Sequence, residues 1–348
     1  MDAKSDELLS WLRFVLEPSW PFPAVRDWRG LLDFSRKQAI SRFISPTQFG
    51  EARLELETLS DWIAVELEVR SLNENLNNRT VELARLLHDA GFRCCILKGQ
   101  GNALMYLDAG LRMPGDIDVW VDAERDAVYS YVRKLFPQAN QHFKHIKFPV
   151  FPETEVDVHY TPLRFYNPVS NRRLQRWIAE MKEEQMTNYV RLPNTDSDIA
   201  IPTADFNAVY QLGHIMIHVE DQGIGLRQLI DYYYVLKALK HESIEKQEAV
   251  RDSIERLGMT RIAAAVMWVE HQMLGLPKEY LLTEPNEKMG KLIAKDIIDG
   301  GNFGHHDSIH TNKELNPWKR KCAKALRVLR LSPCFPEEVV FNISYRMI

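Results

Sequence analysis

The chain has 348 residues, with 44 Lys and Arg against 48 Asp and Glu, for a formal net charge of −4. At 45% hydrophobic and 26% charged residues it is a globular sequence with ample material for a core, which excludes wholesale disorder. The slightly acidic balance excludes an electrostatic grip on nucleic acid by the whole surface, and four cysteines without a CxxC pair argue against a zinc ribbon or dithiol motif.

The first residues, Met1 to Phe14, are acidic and amphipathic, without the basic then apolar run of a leader. The densest apolar stretch, Ile262 to Val269, is too short to span a bilayer, so the expected location is cytoplasmic. Residues 1–90 are expected to form an N-terminal helical region. Leu54, Leu56, Leu59, Ile63, Leu67, Leu72 and Leu76 recur at mostly three- and four-residue steps, the signature of an amphipathic helix. Thr80 is expected to cap a further helix over 81–90, stopped by Gly91.

Residues 91–200 change period. Phe92 to Leu97 predicts a short buried strand and Gly101 to Leu107 a helix ended by Gly110. Asp116 to Asp122 alternates acidic and apolar residues with the period of two of a half-buried strand. Ala123 to Phe136 reads as a helix, and His145 to Val150 and Thr154 to Tyr160 as two strands around Pro152. The mixture predicts an α/β or α+β domain with a mixed sheet, ended by a polar linker near 193–202. Residues 201–348 read as a C-terminal helical domain, clearest over 204–219, 226–239 and 262–274.

The chemistry concentrates in the acidic strand. Asp116 and Asp118, two apart, point to one face while Ile117, Val119 and Val121 point to the other. Like charges side by side repel unless a cation lies between them, and Mg²⁺ suits one or two carboxylates plus substrate phosphates. Glu155, Asp157 and His159 share a face on a second strand by the same alternation. Lys98 and Gly99 stand on a strand-to-helix turn upstream, and Arg112 lies between that turn and the strand. Two acidic strands, a glycine-bearing turn, a lysine and an arginine together suit a metal-bound triphosphate.

The order of Leu97-Lys98-Gly99, Leu111-Arg112, Gly115-Asp116-Ile117-Asp118 and Glu155-Val156-Asp157-Val158-His159 resembles the nucleotidyltransferase superfamily that includes DNA polymerase β. Within it, the string is similar to a bacterial group called uncharacterised nucleotidyltransferases. The resemblance covers about residues 80–310 and implies an α+β, polymerase β-like nucleotidyltransferase core flanked by helical regions. It implies Asp116, Asp118 and Asp157 as catalytic residues and metal ligands, with Asp116 and Asp118 holding two Mg²⁺ (or Mn²⁺) ions, one also bound by the nucleotide phosphates, and Asp157 completing the site and assisting deprotonation of an acceptor hydroxyl. Lys98, Gly99, Gln100, Arg112 and His159 are the implied nucleotide- or acceptor-binding set. The turn reads Lys98-Gly99-Gln100-Gly101-Asn102, so Lys98, Gln100 or backbone N–H groups take the place of the superfamily's Gly-Ser pair. The implied activity moves a nucleoside monophosphate from an NTP, with ATP the default donor, to an unidentified hydroxyl on a small molecule, protein or RNA. The alternatives are a nucleotide-binding module without turnover and a toxin–antitoxin partner protein.

Further groups stay open at this level. Arg112 either meets phosphate or pairs with Asp108. His214 and His218, one helical turn apart, either line the cleft or form a polar seam between domains. Arg227 and Asp231 read as a local salt bridge, and His142 and His145 as surface residues. Lys313 to Arg330 carries seven basic residues and one acid beside an apolar stripe, a solvated helix face with an anion contact as the secondary expectation.

Overall fold

The computed structural model describes residues 3–49, 54–304 and 317–347. Three helices precede the sheet: α1 (Ala3–Leu16), α2 (Trp28–Lys37) and the long α3 (Leu56–Asp89). The sheet region holds β1 (Cys94–Leu97), α4 (Gly99–Ala103), β2 (Ile117–Val121), α5 (Arg125–Leu135), β3 (His145–Lys147), β4 (Val156–His159) and α6 (Pro168–Gln185). A hairpin of β5 (Tyr189–Arg191) and β6 (Asp198–Ala200) follows. Then come α7 (Ala204–Asp221), α8 (Leu226–Leu239), α9 (Ile244–Arg256), α10 (Thr260–Gln272), α11 (Glu287–Gly300), α12 (Pro317–Leu331) and α13 (Pro336–Met347). No helix among the described residues is long and apolar enough to cross a membrane.

The strand order is β1-β2-β4-β3. β1 and β2 are antiparallel, β2 and β4 parallel, and β3 and β4 antiparallel, so the sheet is mixed as expected. One face is apolar. Ile96, Ile117, Val119, Val121, Ile146, Val156 and Val158 pack against Val128 and Val132 of α5 and Leu83 and Leu87 of α3. The other face is divided. Trp120 stacks on Phe206 of α7, which stacks on Trp177 of α6 at 4.8 Å, and all three rings are buried. The remaining half carries Asp118, Asp157, His145 and His159 and forms the floor of a cavity roofed by α7 and α8.

Three expectations change here. The leucine stripe of α3 is split: Leu56, Ile63, Leu67 and Leu72 are exposed, whereas Leu76 joins Trp62, Val65 and Val69 in the buried stripe. Thr80 is no cap. α3 runs through it, and its buried hydroxyl donates to the Leu76 carbonyl 2.7 Å away, a bond available inside an unbroken helix. The stop near Gly91 holds, with φ at +84°. The polar stretch near 193–202 is not a free linker but the hairpin of β5 and β6, with Ile199 and Leu192 in the sheet's core.

Candidate active site

The floor is set by strand register. Asp118 and Asp157 are neighbours across the parallel β2–β4 pair, and His145 and His159 across the β3–β4 pair. Asp116 stands at the entrance of β2 and is exposed, whereas Asp118 is buried. Ligand atoms of Asp116, Asp118 and Asp157 lie within 4.8 Å of one another. Three carboxylates so close repel, and burial adds to the cost of charging them. The Asp157 carboxyl is pushed up to about 6 by burial and by Asp118 and Asp116. Burial acts the same way on Asp118, but the Lys98 ammonium and a hydrogen bond from His159 overcome it and hold its carboxyl well below the usual range.

Lys98 ends β1 on a turn that few side chains tolerate. Its φ is +51° with ψ −133°, and Gly99 follows at +44°. Strain of this kind clusters at functional sites. The turn delivers the ammonium Nζ to Asp118 Oδ2 at 2.7 Å and to His214 Nε2 at 2.9 Å. Burial disfavours the ammonium, yet Asp118 more than compensates and the Lys98 pKa is raised. Lys98 is therefore a donor only, which fixes its partners. His214 Nε2 must accept, so its proton sits on Nδ1. His218 Nε2 lies 3.0 Å from the same His214 nitrogen, whose single lone pair faces Lys98, and His218 Nδ1 faces Gln222 Nε2 at 3.5 Å. Both rings stay neutral: burial, then Lys98 for His214 and Lys144 for His218, lower them, His218 to about 3.

On the other side, His159 Nε2 lies 2.7 Å from Asp118 Oδ1 and His145 Nε2 lies 3.3 Å from Asp157 Oδ2. Burial and the neighbouring His159 lower His145 to about 3. Lys144 lines the same cavity; burial and then the like charge of Lys98 lower its pKa, and no ion pair holds it among the described residues. Arg227 of α8 donates from Nη1 to the Pro114 carbonyl at 3.1 Å and lies 5.7 Å from the Phe303 ring centroid. Phe303 stands at φ +53° on a loop that meets Gly225 so closely that a Cβ there would be 2.8 Å from Asn302 Cα. These groups enclose a cavity of about 370 Å³.

Of the residues singled out from the sequence, Lys98, Gly99, Arg112, Asp116, Asp118, Asp157 and His159 all line this cavity. Gln100 does not. It is buried beneath the turn and donates from Nε2 to Asn77 Oδ1, because α4 begins at Gly99 and turns the next side chain inward. Arg112 does not pair with Asp108. Its Nε and Nη2 bind Asp231 Oδ1 and Oδ2, each at 2.8 Å, so the expected Arg227–Asp231 pair does not form. Asp108 instead faces Arg42 at 3.9 Å. His214 and His218 line the cleft. His145, assigned to the surface, is part of the floor. Lys144 and Asp221 were missed; only the run His142-Phe143-Lys144-His145 hinted at the first. In the basic segment, residues 313–316 lie outside the described residues, and Arg327 and Arg330 of α12 are engaged internally by Asp296 of α11.

The sequence model of a family described as uncharacterised nucleotidyltransferase matches residues 24–275. Among solved structures, the chain is similar to an antigenic nucleotidyltransferase-like protein from Paracoccidioides brasiliensis, at 15% identity and a TM-score of 0.31, over 53% of this chain and 88% of that one. No curated protein matches the chain. The family match spans well over half of the sequence and includes every strand of the cavity floor, so the chain belongs to the uncharacterised nucleotidyltransferase family.

Proposed function

We propose that the protein transfers a nucleoside monophosphate from an NTP, with ATP the default donor, to a hydroxyl acceptor in a metal-dependent reaction. The observation that carries this is the convergence of Asp116, Asp118 and Asp157 within 4.8 Å on the floor of the cavity. The donor set is hard oxygen, and Asp157 Oδ1 is buried without a partner, so the residues fit Mg²⁺ or Mn²⁺. A divalent ion held there would supply charge neutralisation at the α-phosphate and a more acidic acceptor hydroxyl.

The residues divide the rest. Asp116, Asp118 and Asp157 would hold the ion. Lys98, on the cavity wall beside Asp118, is placed to meet phosphate oxygens. Lys144 and Arg227 meet the remaining phosphate charge, and Gly99 lets the backbone approach. In the transfer the acceptor oxygen forms a bond to the α-phosphorus, the bond to the bridging oxygen breaks, pyrophosphate leaves, and Asp157 assists removal of the hydroxyl proton. The protein contributes positioning and fixed charge rather than a covalent intermediate.

One observation favours a second reading. Both Asp118 oxygens are taken, by Lys98 and His159, as in a module that binds nucleotide without turnover. Labelled NTPs with Mg²⁺ or Mn²⁺ and cell extract, using the protein and its Asp116→Ala, Asp118→Ala double variant, separate the two. Metal-dependent label transfer lost in the variant supports the transferase. Nucleotide binding without transfer supports the module, and equal labelling by both proteins overturns the proposal.

A further inference from the structure

The three carboxylates are not the only constellation on the polar half of the sheet. His145, Asp157 and His159 each offer one ligand atom, and these three atoms also lie within 4.8 Å of one another. Strand pairing holds them there: His145 and His159 are direct cross-strand partners with ring centroids 5.0 Å apart, and Asp157 is two residues from His159 on the same face. A second observation is independent of the clustering. Each member keeps one buried polar atom without a hydrogen-bond partner, namely His145 Nδ1, Asp157 Oδ1 and His159 Nδ1. Buried polar atoms are nearly always satisfied. Three orphans on three adjacent side chains mark unused binding capacity.

The tautomer of His159 supports this. Asp118 is a carboxylate and can only accept, so His159 Nε2 donates to it at 2.7 Å and the lone pair is left on Nδ1. A carboxylate holding one imidazole nitrogen so that the other can ligate is the usual support of a metal-binding histidine. His159 is also only 1% exposed, which keeps competing water away.

We propose that His145, Asp157 and His159 form a second divalent-metal site, one with nitrogen ligands, that shares Asp157 with the three-carboxylate set. It builds on the metal-dependent reading above and adds a metal preference. Imidazole nitrogen favours Mn²⁺, Co²⁺ or Zn²⁺ over Mg²⁺, which prefers oxygen and keeps its waters. The carboxylate set suits either Mg²⁺ or Mn²⁺, so the histidine set makes the two positions chemically distinct. Asp157 has one oxygen facing His145 and one unpartnered, so it has a donor for each position.

The test is Mn²⁺ binding to the full chain without nucleotide, with stoichiometry from titration and ligand type from pulsed electron paramagnetic resonance. The expected result is ¹⁴N coupling from imidazole in the wild type. His145→Gln and His159→Asn should each reduce the coupling and weaken the nitrogen-coupled binding about tenfold or more, whereas Asp116→Asn should keep the coupling. His145 is only partly buried, so its variant serves if His159→Asn fails to fold. Bound Mn²⁺ without nitrogen coupling, or coupling unchanged in the histidine variants, overturns this site and leaves the carboxylate reading standing. No bound Mn²⁺ in the wild type overturns both.

Discussion

Arg112–Asp231, with both partners buried, and Lys98–Asp118, whose lysine is only partly buried, close at 2.8 and 2.7 Å, and their surroundings give them different work. Asp231 is saturated. Two parallel bonds from the guanidinium fork and a third from the Tyr106 hydroxyl at 2.7 Å fill both oxygens. The fork is planar and permanently charged, so this pair fixes α8 against the loop that carries Pro114. Lys98 is a point charge on a flexible stem, and it leans on a neutral histidine as well as on Asp118. Two acids that look alike in sequence are thus a rivet in one case and an exchangeable contact in the other.

The largest effect expected is on turnover. Asp118→Asn should keep the fold, because the amide oxygen still accepts from Lys98 and the amide N–H meets His159 once that ring carries its proton on Nδ1, and should lower metal-dependent label transfer about 1000-fold. A variant with near-normal transfer rates would remove Asp118 from the chemistry. Arg112→Met strands the Asp231 carboxylate in the core and should cost about 3–5 kcal/mol in urea unfolding, with much of it recovered in the Arg112→Met, Asp231→Leu double variant. If the single variant unfolds like the wild type, the rivet description is wrong. Lys98→Gln sharpens the contrast further. Nucleotide affinity should fall about tenfold, the loss of one charge-assisted contact, while Mn²⁺ affinity without nucleotide should rise because the competing ammonium is gone. Calorimetric titration reads both, and a fall in both would make Lys98 structural.

The helical region supplies a third carboxyl, with neither kind of partner. Glu270 of α10 is fully buried and both its carboxylate oxygens lack a hydrogen bond. Burial pushes it well above the ordinary value of 4.5, so it is folded as the neutral acid. The unfolded chain ionises first as pH rises, so stability drains away from about pH 4.5 upward until the folded group also ionises. Glu270→Met should therefore stabilise the protein by about 1–2 kcal/mol at pH 7, with the gap closing near pH 4. Thermal melts across that range test the sign.

Much of the site was legible because a strand alternates strictly. Once Asp116 to Val121 and Glu155 to His159 are strands, the acids and the valines must part to opposite faces. The positions of Lys98 and Gly99 followed from a strand running into a glycine turn. What the sequence hid was long-range choice. Arg112 ignored Asp108, four residues away, for Asp231, 119 residues on, because burial rewards a bidentate partner more than a near one. His145 lies on a strand of only three residues, too short for its alternation to be read. In α3 two apolar stripes competed, and local spacing cannot say which one a neighbouring domain will cover.

That helix has a consequence for how the molecule comes apart. α3 runs for 34 residues, with Trp62, Val65 and Val69 in the core of the helical region and Leu76, Val81, Leu83 and Leu87 in the core beneath the sheet. The two cores share one helix, so unfolding either removes packing from the other. Scanning calorimetry should record one transition whose calorimetric and van't Hoff enthalpies agree.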